Sequence, residues 1–193
     1  MRFLTEKINL NYNKRLWIVD NFYEDPYSIR NYALQQDYED QSEWYKGRRT
    51  VEQHFVSGTK KAFEDIMGVS ITNWSTHGMC GRFQFCTPQD SIVYHWDSQT
   101  WAAMIYLTPD APYQCGTSFY AHKKTRARHQ LDQNSNLSFE GGYFDKTKFE
   151  LVDTVGNVFN RLFIFDARSI HAASEYFGQT IEDSRLFHIF FFD

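Results

Sequence analysis

Cysteine is scarce: Cys80, Cys86 and Cys115 are the only three, and none lies in a Cys-x-x-Cys pair. An odd, scattered set excludes both a disulfide framework and a zinc ribbon, and points to a reducing compartment. Long apolar runs are missing too. No stretch approaches the eighteen or so apolar residues of a membrane-spanning helix, and the opening Met1-Arg-Phe-Leu-Thr-Glu-Lys7 breaks its apolar run too early for a signal peptide. A soluble, cytoplasmic protein is expected. Positive charge is also in short supply. Twenty Lys and Arg against 24 Asp and Glu leave a formal net charge of −4, which predicts no general attraction to nucleic acid or anionic membranes.

Aromatics, by contrast, are abundant, with 18 Phe and 12 Tyr among 193 residues. They suit the pleated, half-buried surfaces of a β-rich interior. A chain of this length fits one domain and buries roughly 70% of its unfolded surface. Residues 1–79 read as N-terminal support. They hold one or two strands before Glu24, including Leu16-Trp-Ile-Val19. A helix follows from Asp25 (N-cap) and Pro26 to about Gln36, and a second runs over 59–67 with Gly68 as its stop. Between the helices, Glu43-Trp-Tyr-Lys-Gly-Arg-Arg49 reads as a surface loop or as a wall of a substrate groove.

From Gly81 the pattern changes to closely spaced strands, implying an antiparallel sandwich or barrel. Phe83 and Phe85 alternate with polar residues, Thr87-Pro-Gln-Asp90 is a turn, and Ile92 to Asp97 and Trp101 to Leu107 follow as strands. Residues 121–157 read as a long polar insertion, either a lid or a mobile segment. Its Lys123, Lys124, Arg126 and Arg128 suit a solvated face or a docking surface for an acidic partner.

The chemistry centres on Tyr94-His95-Trp96-Asp97. In an extended segment His95 and Asp97 share one face and Trp96 takes the other. A second imidazole, for which His171 is the candidate, would complete two His and one carboxylate, the facial set that leaves open positions on non-haem Fe(II). With seven His and 14 Asp in the chain, His-x-Asp alone carries little information. His188, inside an aromatic strand, reads as structural, and His54, His77, His122 and His129 have no partner at ligand spacing. Asp166 and Arg168 are candidates for orienting His171.

The order of these motifs resembles the Fe(II)- and 2-oxoglutarate-dependent dioxygenases, in their prolyl 4-hydroxylase-like branch. The likeness covers about residues 80–193: His-x-Asp, the Trp101–Leu107 strand, Cys115-Gly116-Thr-Ser-Phe119, Arg161-Leu-Phe-Ile-Phe-Asp166 leading to His171, and Ser184-Arg185-Leu-Phe-His-Ile-Phe-Phe-Phe192. A weaker echo lies in Trp17 to Pro26. The resemblance implies a mainly β fold with flanking helices (α+β), a double-stranded β-helix or jelly roll, with 80–193 as its catalytic core.

By the same resemblance His95, Asp97 and His171 are iron ligands. Arg185 receives the distal carboxylate of 2-oxoglutarate with help from Tyr106, and O2 is the second co-substrate, with ascorbate as an optional reductant. The interval from His171 to Arg185 is longer than the family's usual one, so Arg168 is the alternative anchor. Cys115-Gly116 stands where Gly-Gly is customary. The implied reaction hydroxylates a peptidyl or small-molecule substrate and releases succinate and CO2. Nucleic-acid dealkylases carry a second arginine soon after the anchor; here Leu-Phe-His-Ile-Phe-Phe-Phe follows Arg185, against a nucleic-acid substrate. The alternatives are a non-catalytic, cupin-like metal-binding jelly roll, or a structural protein retaining the motif by descent.

Overall fold

The computed structural model describes residues 16–40 and 46–193. Among the described residues ten strands form two antiparallel sheets. The larger runs in the order β1 (Leu16–Val19), β8 (Leu162–Asp166), β5 (Trp101–Tyr106), β10 (Arg185–Phe192), β4 (Arg82–Cys86), β3 (Arg48–Thr50), β2 (Tyr38–Glu39). The smaller has β7 (Phe149–Val155), β6 (Thr117–His122) and β9 (His171–Ala173). This is the jelly-roll, double-stranded β-helix architecture.

The aromatic run of β10 follows from its position between two apolar layers. On one face Leu186, Phe190 and Phe192 pack with Phe83, Ile105 and Ile164 against Ala33 of α1 (Pro26–Ala33) and Phe63 and Met67 of α2 (Thr59–Met67). On the other, Phe187, Ile189 and Phe191 join Met104, Tyr106, Phe163 and Phe165 between the sheets. Both parities are apolar because both faces are covered. Arg185 shares the inner parity, so its side chain enters the interior from the strand's first residue.

Four expectations shift. Helix α1 ends at Ala33, and the last turn tightens: Gln35 and Gln36 donate to Tyr32 and Ala33 carbonyls three residues back. In the 43–49 stretch, Glu43 to Tyr45 lie outside the described residues, while Arg48 and Arg49 form a strand of the large sheet. Residues 92–97 are not a regular strand, because their amides find three separate partners: Tyr94 donates to Tyr143, His95 to His171 and Asp97 to Ala167. The insertion is shorter than 121–157: its ends are β6 and β7, which pair with each other. β7 lacks the alternation of a strand because it is an edge, exposed from Glu150 to Thr154.

Candidate metal centre

His95 and His171 exchange both main-chain hydrogen bonds, at 3.0 and 2.8 Å, and Asp97 N donates to the Ala167 carbonyl at 2.9 Å. The irregular 92–97 segment is thereby pinned to the β8–β9 connection. Alternation along it survives: Tyr94 is buried and Trp96 packs on Phe139, both on the outer side of the small sheet, while His95 and Asp97 turn to the opposite side. There His95 Nε2 lies 3.6 Å from Asp97 Oδ1, and His171 Nε2 lies 3.4 Å from Asp97 Oδ2.

Main-chain carbonyls fix both ring tautomers. His95 Nδ1 donates to Val93 O (3.0 Å) and His171 Nδ1 to Ser169 O (2.8 Å), leaving Nε2 with a free lone pair in the neutral imidazole. Burial, and then the neighbouring His95, lower the His171 pKa to about 4, so its neutral form dominates at neutral pH. The three side chains form the one group among the described residues able to hold a metal ion, with donor atoms all within 4.8 Å of one another. Ligands ~2.1 Å from one ion at right angles lie ~3 Å apart, and the two histidine–Asp97 separations, 3.6 and 3.4 Å, are close to that value. Two nitrogens and one carboxylate oxygen on one side suit a first-row transition metal with open positions. His95 is the most exposed of the three at 36%, against 17% and 8% for the Asp97 and His171 side chains, so the cluster opens on that side.

Arg185 is 2% exposed and lies further along the same interior. Its Nε donates to Cys115 O (3.2 Å), and Nη2 to Gly116 O (3.3 Å) and Thr117 Oγ1 (2.9 Å). The Tyr106 hydroxyl lies 3.0 Å from the same Thr117 Oγ1, and the Arg185 guanidinium stands over the rings of Phe187, Tyr106 and Tyr176. Burial raises the Tyr106 pKa, which keeps its hydroxyl protonated and able to donate. Among the described residues no carboxylate pairs with Arg185. Arg168 differs: its Nε and Nη2 bind Asp166 at 3.0 and 3.1 Å. Asp166 thus engages Arg168 and His129, while Ser169 O is what orients the His171 ring.

The extra length between His171 and Arg185 forms a loop closed by Asp183, whose Oδ1 accepts from Gln179 N and Thr180 N, and Arg30 ties it down through Glu182 O. Gly116 is required by close approach: a Cβ there would meet Val155 O of β7 at 1.9 Å.

Thr117 escaped the sequence reading. A threonine in a strand has no distinguishing signal, although its place two residues before Phe119, which faces His171 from 6.4 Å between ring centroids, puts it on the inner face. His188 is structural: fully buried, with Nε2 donating to His54 O and Nδ1 accepting from Tyr23 Oη, each at 2.9 Å.

Fold and site together define a double-stranded β-helix protein with a two-histidine, one-aspartate cluster. Two solved structures of similar fold are a prolyl hydroxylase from Trichoplax adhaerens in complex with a hypoxia inducible factor oxygen degradation domain peptide fragment (TM-score 0.53, 12% identity, covering 95% of this chain and 84% of that one) and HygX from Streptomyces hygroscopicus with nickel, 2-oxoglutarate and hygromycin B bound (TM-score 0.61, 10% identity, covering 92% and 82%). No curated protein matches the sequence. Residues 3–176 match the family described as Family of unknown function (DUF6445), and the chain belongs to that family.

Proposed function

We propose that this protein is an Fe(II)- and 2-oxoglutarate-dependent dioxygenase, one catalytic domain that hydroxylates a peptidyl or small-molecule substrate in the cytoplasm. The observation that carries the reading is a pair of features on one interior: the His95, Asp97 and His171 donors within 4.8 Å, and a buried Arg185 bonded to carbonyls and a hydroxyl and, among the described residues, to no carboxylate. A buried cation without a counter-charge is costly, and an anionic ligand would offset that cost. The motif order of the prolyl 4-hydroxylase-like enzymes and the fold shared with a structure holding 2-oxoglutarate support the same conclusion. Among the described residues no helix is long and apolar enough to cross a membrane.

The spacing suits a five-carbon dicarboxylate. Thr117, bonded to Arg185, and Phe119, paired in register with His171, are two residues apart on β6, about 7 Å along a strand. The carbon chain of 2-oxoglutarate spans ~5 Å, leaving room for the metal bond at one end and the guanidinium at the other. Iron held here, with 2-oxoglutarate and O2, would convert a substrate C–H bond to C–OH while the co-substrate leaves as succinate and CO2.

The chain's own part is position and exclusion. His95, Asp97 and His171 would hold the ion and keep positions open for co-substrate and oxygen. Arg185 offers a planar donor edge to the distal carboxylate, and Thr117 and Tyr106 set that edge's angle. Phe119 and Phe165, whose ring lies 4.8 Å from His171, keep water from the space between.

The test is an anaerobic titration of Fe(II) and then 2-oxoglutarate into metal-free protein, followed by the visible metal-to-ligand charge-transfer band. The expected band is absent in His95→Ala and weakened in Arg185→Ala. Iron binding without a band on adding 2-oxoglutarate would overturn the dioxygenase reading and favour a non-catalytic metal-binding jelly roll.

A further inference from the structure

The polar excursion between β6 and β7 reaches back to the metal cluster. Arg128, His129 and Gln130 lie antiparallel to residues 168–170: Ile170 N donates to Arg128 O and Gln130 N to Arg168 O, both at 2.8 Å. Asp132 holds this short piece in place, its Oδ2 accepting from Arg128 N (2.7 Å) and His129 N (2.9 Å). The His129 side chain then turns inward. Its Nδ1 accepts from Leu131 N at 3.1 Å, so the ring proton sits on Nε2, 3.2 Å from Asp166 Oδ1. Both side chains are buried, at 6% and 4% exposure. Asp166 accepts from Arg168 N, Nε and Nη2, and, against the opposing effect of burial, Arg168 and His129 together keep its carboxyl below the usual range.

What this cluster holds is the turn after β8, and two carbonyls of that turn set the ligands. Ala167 O accepts from Asp97 N, and Ser169 O accepts from His171 Nδ1. The turn itself is closed by Ser169 N donating to Asp166 O. We propose that His129, Asp166 and Arg168 are a positioning network through which the excursion between β6 and β7 sets the placement of Asp97 and the orientation of His171 at the metal. The inference rests on the metal-binding part of the proposed function. It gives the excursion a role inside the site, distinct from that of a solvated lid. Groups that orient metal ligands in this way typically alter metal affinity by about 10–100-fold when removed.

Cobalt(II), which reports coordination through its visible absorption, is the probe. Affinity and spectrum are measured for wild type, Asp166→Asn, His129→Leu, His129→Gln and His95→Ala, with a thermal melt of each metal-free protein. Asp166→Asn and His129→Leu are expected to bind cobalt at least about tenfold more weakly, with an altered spectrum of the bound ion. His129→Gln, which keeps a donor toward Asp166, should stay within about threefold of wild type with the wild-type spectrum. A purely structural role would lower the melting temperature and leave the spectrum of the bound fraction unchanged, which overturns the proposal. Should His129→Leu fail to fold, Asp166→Asn against His129→Gln decides it. Equal affinity and spectrum in wild type, Asp166→Asn and His129→Leu overturn the network alone. Absence of cobalt binding in wild type, or binding that survives His95→Ala, overturns the metal reading and the network with it.

Discussion

The Arg185 guanidinium and the Tyr106 hydroxyl meet on a single atom, Thr117 Oγ1, at 2.9 and 3.0 Å. Arg185 opens β10, Tyr106 ends β5 and Thr117 opens β6, so two sheets must pack before the three can converge. The threonine hydroxyl can donate to one neighbour and accept from another. Arg185 can only donate, so the Thr117 proton is left for Tyr106, for the weak Met104 Sδ acceptor 3.9 Å away, or for an anion.

Replacing Thr117 by Val removes that link and keeps the shape of the side chain. A buried hydrogen bond contributes about 1 kcal/mol, so 2-oxoglutarate should bind about five- to tenfold more weakly, with Fe(II) affinity unchanged. Arg185→Lys should be worse, about 100-fold, because a point charge cannot supply two parallel bonds to a carboxylate. Isothermal titration of 2-oxoglutarate into the Fe(II) protein under nitrogen checks both; an Arg185→Lys protein that binds as wild type does would remove Arg185 from the anchor.

Metal should stabilise the fold through the ligand cluster. At a free concentration 100 times its dissociation constant, an ion that binds only the native state adds about 2.7 kcal/mol. For a chain of this length that corresponds to a rise in Tm of about 7 °C. The rise should vanish on adding a chelator and be absent in His95→Ala and Asp97→Ala. Differential scanning calorimetry reads it directly, and an equal rise in those variants would mean that the ion binds elsewhere.

Gly116→Ala should cost about 2–3 kcal/mol. The new Cβ would meet the main-chain Val155 O at 1.9 Å, and backbone cannot rotate away as a side chain can. β6 must separate from β7, carrying Thr117 and the Cys115 carbonyl with it. Urea denaturation gives the loss, and 2-oxoglutarate affinity should fall in the same variant. A stability within 0.5 kcal/mol of wild type, the scatter of an ordinary surface change, would contradict the contact.

His188 should make stability fall in acid. Burial lowers its folded-state pKa to about 3, against ~6.5 when unfolded. Between those values the unfolded chain binds a proton that the native chain refuses. The contribution of His188 is therefore complete above about pH 6.5 and declines as pH falls toward 3, by up to ~1.4 kcal/mol per pH unit. His188→Gln, which cannot titrate, should show a shallower decline between pH 6 and pH 4 in urea unfolding. Equal slopes would assign the acid sensitivity to other groups.

The sequence by itself determined the strands around Phe83–Phe85 and Trp101–Tyr106 and the placing of His95 and Asp97 on one side of their segment. Those are local properties: side chains two apart in extended backbone share a face whatever lies beyond. It also marked α2 and its Gly68 stop, the Thr87–Asp90 turn and the structural nature of His188. The tertiary structure alone decided that His171 joins the pair, because the bridge from His95 joins residues 76 positions apart and no local pattern encodes it. It alone separated Arg185 from Arg168. Both are arginines near strand ends, but Arg185 is buried with no carboxylate partner among the described residues, while Arg168 is partly exposed and engaged by the buried carboxylate of Asp166 two residues away. β7 and the excursion before it went unread for a related reason. An exposed edge strand has no buried face to impose alternation, and the partners of His129 exist only once the β8–β9 turn has folded beside it.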